Sequence, residues 1–189
     1  QLLVEFTRMT GVPITNTLMG LGVYPASDKQ FVGMLGMHGT YEANLAMYNC
    51  DVMLNIGARF DDRITGKIDE FSPNSTKIHV DIDPSSINKN IMVDIPIIGD
   101  AGHVLEDMIR LWRSKALNID SGALSDWWGQ IETWRSVDCL GFEQKKGDAE
   151  IRPQHALKRL HEMTAHRDDV LISTEVGQHQ MWAAQYLGF

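Results

Sequence analysis

Four short runs constrain the fold of this chain more than any other feature: "VPITNT" (12–17), "DVMLNIG" (51–57), "KIHVDID" (77–83) and "IPIIGD" (95–100). Each is apolar almost throughout, so each needs cover on both faces. Helical patterns lie between and around them, near 1–10, 40–49 and 101–115. Buried strands alternating with helices are what a parallel sheet with helical layers requires. The expected fold class is therefore α/β, a Rossmann-like parallel sheet with helices on both faces. In "GDAGHVLEDMIRLW", Asp100 stands where a helix cap belongs. Val104, Leu105, Met108, Ile109 and Trp112 then follow at helical spacing.

The pattern changes near residue 115, which sets the expected organisation. Residues 1–115 form a central nucleotide-binding domain whose own start lies upstream, because the first residues already read as a helix feeding a strand. Residues 116–150 form a connecting segment over the surface. It includes an amphipathic helix in "SGALSDWWGQIETWRS" that displays Trp127, Trp128, Ile131 and Trp134, and then the aperiodic "LGFEQKKGDAE". Residues 151–189 begin a further domain. Pro153 sits at a first helical position, Leu157, Leu160 and Met163 continue one face, and "DDVLISTEVG" (168–177) reads as a buried strand. The closing "VGQHQMWAAQYLGF" (176–189) then starts a helix rich in apolar residues. Without further chain to cover Met181, Trp182 and Tyr186, residues from about Gly177 onward are either disordered or buried against the central sheet or a neighbouring copy, and self-association through this tail is expected, since exposed apolar patches tend to find partners.

Composition narrows the function. The net charge is −8, and no Lys/Arg stripe is present to displace counterions, so a nucleic-acid partner is excluded. No apolar run reaches the roughly 18 residues of a membrane-spanning helix. No basic stretch precedes an apolar core at the start, so no secretory leader is expected. The two cysteines, Cys50 and Cys139, lack metal-type spacing and fit a reduced, cytoplasmic setting.

Three turns at strand ends have the chemistry of a dinucleotide cradle. In "GMLGMHGTYEANLAM", Gly33, Gly36 and Gly39 punctuate a turn that opens a helix, whose free N–H groups suit phosphate. Met37 and His38 would lie beside the ligand. The spacing is not G-x-G-x-x-G, and a plain tight turn with a surface histidine fits equally well. In "NIGARFDDR", Gly57 ends a strand and Arg59, Asp61, Asp62 and Arg63 follow. Arginine suits bidentate phosphate contact, whereas two arginines interleaved with two aspartates also describe a self-neutralising loop. In "HVDIDPSSINK", carboxylates end a strand, where they accept ribose hydroxyls in doubly wound sheets or cap the turn at Pro84. Asp100 occupies the same kind of position on the next strand. Together these positions favour a nucleotide without saying which.

The runs "LGMHGTYEANLAMYNCDVMLNIGARFDDR", "DIDPSSINKNIMVDIPIIGD" and "VGQHQMWAAQ" add that information. With "TLMGLG", they closely resemble the acetolactate synthase (acetohydroxyacid synthase) catalytic subunits, thiamine-diphosphate enzymes of three domains. The resemblance is loosest between 113 and 150. It implies an FAD-binding central domain followed by the start of the diphosphate-binding domain. Thr17, Leu18, Met37, His38, Gly39, Gly57, Arg59, Asp61 and Arg63 would line the FAD. Asp81, Ile82, Ile87, Gly99, Asp100 and Ala101 would surround its adenosine end. Val176, Gly177, Gln178 and His179 would hold the phosphates of thiamine diphosphate. No catalytic residue and no Mg²⁺ ligand is expected in this chain, because the activating glutamate and the metal motif belong to other segments. The implied reaction decarboxylates pyruvate and joins the two-carbon unit to pyruvate or 2-oxobutyrate, in branched-chain amino-acid synthesis. The implied partners are further catalytic subunits and a regulatory small subunit. Asn16 and Glu175 depart from the usual residues of such enzymes. A pyruvate oxidase, a glyoxylate carboligase, a binding-only nucleotide module and an NAD-consuming enzyme are the rival readings. "GARFDDR" with "QHQMWAAQ" favours the synthase.

Overall fold

Five short strands, all parallel, form two sheets in the computed structural model, which describes residues 1–147, 149–167 and 169–188. β1 (Ile14–Asn16) pairs with β2 (Phe31–Met34), running from Ile14 opposite Phe31 to Asn16 opposite Met34. β3 (Val52–Ile56), β4 (Thr76–Asp81) and β5 (Ile95–Ile98) make the second sheet in that order, with Ile56 opposite Val80 and Asp81 opposite Ile98. Among the described residues no strand bridges β1 and β3, so the single sheet expected from the sequence is divided. The fold class stands: parallel sheets with helices on both sides. Asp168 and Phe189 lie outside the described residues, as does Asp148 in the connecting segment.

The helices follow their sequence signals closely. α1 (Leu2–Thr10) ends at Gly11, whose left-handed backbone (φ 74°) lets its N–H return to the Thr7 carbonyl. α2 (Tyr41–Asn49) starts at Thr40, whose hydroxyl accepts from the Ala43 N–H. The short α3 (Asp62–Thr65) is capped by Asp61. α4 (Ala101–Ser114) starts at Asp100, whose Oδ1 accepts from the Gly102 and His103 N–H groups. α5 (Ser121–Arg135) is capped in the same way by Asp120. α6 (Pro153–Thr164) and α7 (Gln178–Tyr186) follow.

Three apolar clusters hold the N-terminal region. Phe6 of α1 packs with Leu105 and Ile109 of α4, against Leu54 and Ile56 of β3. Phe60, Phe71 and Ile91 form a second cluster with Met53. The third joins Val32 of β2 and Ala43 and Ala46 of α2 to Ile131 of α5, with Trp127, Trp128 and Trp134 around it. The sequence placed that helix in a segment wrapping the surface. Instead, Ile131 is fully buried, Trp128 Nε1 donates to the Gly11 carbonyl, and Arg135 donates to the carbonyls of Lys29 and Phe31. The isoleucine and the three partly buried tryptophans lie on one face of α5 and pack on the cluster of β2 and α2, so α5 covers that side of the core.

Two further expectations are corrected. Gly33 is a residue of β2, not part of a turn, and its bare Cα admits Thr40: a Cβ there would stand 2.6 Å from the Thr40 hydroxyl oxygen. The run "DDVLISTEVG" is no buried strand over its described residues. Positions 169–177 carry no strand, and Leu171 is 97% exposed. A strand exists only where a neighbour completes its ladder, and no such neighbour is found among the described residues. α7 packs on α6 and on the 138–142 turn rather than on either sheet. Ala183, Ala184 and Leu187 are buried, the Tyr186 hydroxyl donates to the Leu140 carbonyl, and Phe142 meets the Tyr186 ring edge-on.

Candidate cofactor site

The C-terminal ends of parallel strands present free backbone groups on one edge, and doubly wound sheets bind ligands there. The loops leaving β1, β2 and β3 are tied together at that edge. The Leu35 N–H donates to the carbonyl of Asn16, the last residue of β1, and the Met37 N–H donates to the carbonyl of Arg63 (2.8 Å) in α3, which follows β3. The second contact requires glycine at 36. Its φ is 104°, and a Cβ would lie 2.7 Å from the Arg63 carbonyl oxygen. Gly39 is equally confined, 2.5 Å from the Met34 carbonyl oxygen. Thr17, Leu18, Met37, His38, Gly39 and Arg63 are thereby brought into one neighbourhood. Asn16, a departure noted in the sequence, is buried and donates to the Gly20 carbonyl, which shapes the turn after β1.

The "GARFDDR" loop owes its course to Phe60. That residue adopts a left-handed backbone (φ 52°), a strained conformation for a bulky side chain. Burial offsets the strain, because the ring packs edge-on to Phe71 at 5.6 Å and to His79 at 5.0 Å. Asn90 Nδ2 also donates to the Phe60 carbonyl. With Phe60 anchored, Gly57 (φ 70°) lies open, with no atom within 4 Å of where a Cβ would be, and the Arg59 side chain is 73% exposed. Arg59 meets Asp61 at 3.0 Å in an exposed ion pair, so the self-neutralising reading is partly realised. Arg63 has no ion-pair partner among the described residues. Arg59, Asp61, Asp62, Thr65, Lys89 and Asn90 border an open depression of ≈ 340 Å³. Lys89 and Asn90 were not named as site residues in the sequence reading. A larger depression of ≈ 610 Å³ between α1 and α4 lies on a helical face, and its Arg113 is neutralised by Glu5 at 2.8 Å.

On β4 and β5 the predicted residues divide. Ile82 is 69% exposed at the end of β4, and Gly99, Asp100 and Ala101 turn β5 into α4. Asp81 is buried, and its Oδ1 accepts from the Asp83 N–H. The adjacent Asp83 carboxylate is spent on the Ser85 N–H and hydroxyl, which hold its pKa below the ordinary range. Ile87 follows this turn, and its N–H donates to the Pro84 carbonyl. Beneath the loops lies His79, which the sequence reading passed over, although a histidine inside an apolar strand was its signal. It is fully buried, and among the described residues neither ring nitrogen has a partner in good hydrogen-bond geometry, although the Ala58 backbone and Asp81 both favour its protonated form. Nε2 is 3.7 Å from Asp81 Oδ2. Burial pushes its pKa down, against the opposing pull of Asp81.

Val176, Gly177, Gln178 and His179 form the start of α7. Gly177 is extended (φ 168°) and no side chain caps the helix; the Gln180 N–H returns to the Gly177 carbonyl, and among the described residues the Gln178 and His179 N–H groups are left for an anion. The far end of α7 reaches the other turn: Gln185 Nε2 donates to the His38 carbonyl at 3.0 Å. Among the described residues no group of His, Cys, Asp or Glu is arranged to hold a metal ion, and no helix is long and apolar enough to cross a membrane.

Residues 1–108 match the model of the family described as thiamine pyrophosphate enzyme, central domain. The chain belongs to the thiamine pyrophosphate enzyme family. It is 44% identical over 187 residues, 99% of its length, to an acetolactate synthase large subunit of Haemophilus influenzae. It is 44% identical over 189 residues to the acetolactate synthase isozyme 3 large subunit of Escherichia coli, and 38% identical over 185 residues to an acetolactate synthase of Mycobacterium bovis. This thiamine pyrophosphate enzyme chain spans 32% of the length of the first two relatives and 29% of the third.

Proposed function

We propose that the chain is the flavin-carrying central part, and the start of the diphosphate-binding part, of an acetolactate synthase large subunit. The observation that carries this reading is the union of the loops after β1, β2 and β3 at one edge, through the Asn16 and Arg63 carbonyls, in a chain 44% identical to two such subunits. The geometry suits FAD. Gly57 leaves an open cradle and Arg59 stands in solvent for phosphate. Met37 (61% exposed) and Ile82 offer apolar surface to the rings. Arg63, which has no ion-pair partner within 4 Å among the described residues, is suited to an anion there, the flavin's own phosphate or a substrate carboxylate. Gly99, Asp100 and Ala101, with Asp81 and Ile87, bound the adenosine end. Asp100 keeps its cap, so its second oxygen is the one available to a hydroxyl.

Val176 to His179 accept the phosphates of thiamine diphosphate, and the Mg²⁺ ligands lie outside this chain. When bound, thiamine diphosphate supplies the electron sink for decarboxylating a 2-oxo acid. The residues of this chain supply binding and orientation. The enzyme takes pyruvate, joins its two-carbon remainder to pyruvate or 2-oxobutyrate, and acts in the cytoplasm on the branched-chain amino-acid route. It works as an oligomer of large subunits with a regulatory small subunit. The 189 residues alone form no acetolactate. The test is reconstitution of the stripped full-length subunit, read by the colorimetric acetoin assay. Activity is expected only when thiamine diphosphate, Mg²⁺ and FAD are all returned. Recovery without FAD would refute the flavin assignment, and turnover by the 189 residues alone would refute their dependence on other segments.

A further inference from the structure

We propose that Gln185 is a positioning residue that couples the two cofactor sites, so that thiamine diphosphate at one end of α7 tightens FAD at the other. The inference rests on the cofactor assignments proposed above. The nine-residue α7 carries the Val176–His179 turn at its N-terminus, and about 10 Å further on, at 1.5 Å per residue, it carries Gln185. Gln185 Nε2 donates to the His38 carbonyl at 3.0 Å. That carbonyl belongs to a turn fixed on both flanks, by the Met37 N–H on the Arg63 carbonyl and by the tight fit of Gly39. A second chain of contacts runs beside the first. The Tyr186 hydroxyl holds the Leu140 carbonyl, and the adjacent Cys139 sulfur accepts from the Tyr41 N–H at the start of α2. The C-terminal end of α7 therefore rests on the turn and helix start that face the flavin.

The other end of α7 is loosely held. The residues before it, 169–177, carry no strand, and Val176 is exposed. A diphosphate on the Gln178 and His179 N–H groups of α7, ahead of the Gln180 N–H that returns to the Gly177 carbonyl, supplies the restraint that this end lacks. With α7 ordered, less entropy is lost in keeping the Gln185 bond, and the Met37–Gly39 turn is held in its flavin-facing form. The coupling is reciprocal: FAD must tighten thiamine diphosphate by the same factor.

The experiment titrates FAD into the stripped full-length subunit by quenching of flavin fluorescence, with and without thiamine diphosphate and Mg²⁺. In the wild type, thiamine diphosphate is expected to tighten FAD about two- to tenfold, the range one neutral hydrogen bond contributes. Gln185→Glu keeps the size of the side chain and loses the donor, so the factor by which thiamine diphosphate tightens FAD should fall to one. Gln185→Ala should do the same, and it decides the matter if the glutamate variant fails to fold. A wild-type factor of one, or an unchanged factor in the variants, overturns the coupling while leaving the cofactor assignments intact. A wild type that binds no FAD overturns those assignments and the coupling with them.

Discussion

Residues 1–135 and residues 151–188 carry similar glycine-containing turns, proposed above to hold cofactors, on very different foundations. In the first region every strand has a parallel neighbour, three apolar clusters fill the interior, and the loops at the strand ends are tied to one another. In the second, α6 has no buried residue and the stretch before α7 is unpaired. α7 is held by α6, by Leu140 and by one bond to His38. The same local chemistry, a glycine-containing turn opening a helix, is tightly packed in one region and lightly held in the other. What separates them is the packing behind the turn.

The largest effect expected from this contrast is on stability. Ile131→Ala should cost about 2–5 kcal/mol, because a fully buried side chain between α5 and α2 leaves a cavity. Leu160→Ala, on the exposed face of α6, should stay within about 0.5 kcal/mol. Urea unfolding that gave the two variants equal losses would erase the distinction between the regions.

Arg59→Ala tests the proposed flavin site directly. A guanidinium–phosphate hydrogen bond contributes roughly 1.5–3 kcal/mol, so FAD affinity should fall about tenfold or more. Its exposed pair with Asp61 adds little to stability. The melting temperature should therefore hardly move. Calorimetric titration showing equal affinity would remove Arg59 from the site.

The glycines give a finer comparison. Gly36→Ala forces a Cβ against the Arg63 carbonyl in a left-handed backbone and should cost about 1–3 kcal/mol, with weakened FAD binding. Gly177→Ala, in extended backbone beside the His179 ring alone, should leave stability within about 0.5 kcal/mol. Parallel thermal melts of the two variants check this, and a reversed order would contradict the account of the loop junction.

The smallest effect concerns pH. The folded-state pKa of His79 lies below its ordinary 6.5, so the unfolded chain binds the proton more readily. Stability is then full above about pH 6.5 and is lost as pH falls towards the folded pKa, by at most about 1.4 kcal/mol per pH unit. His79→Leu should flatten that slope. Urea midpoints between pH 5 and 7 that fell equally in both proteins would show that His79 does not set it.

Much of this was legible in the residues. Buried apolar runs imply a parallel sheet wherever helices alternate with them, and caps such as Thr40, Asp100 and Asp120 mark their helices because orphan N–H groups need an acceptor within three residues. These are local rules, so α1, α2, α4 and α5 begin and end close to where the sequence put them. That the candidate residues lie at strand C-terminal ends was also legible, since the turns that carry them directly follow the apolar runs. What the tertiary structure alone decided was everything set by partners distant in the chain. The division into two sheets, the burial of Ile131, the release of 169–177 from strand structure and the burial of His79 all depend on which surfaces meet. So does the reach of Gln185 to His38, 147 residues away. A pattern of residue types states what a segment can bury or pair, but whether a neighbour is there to receive it is a property of the assembled fold.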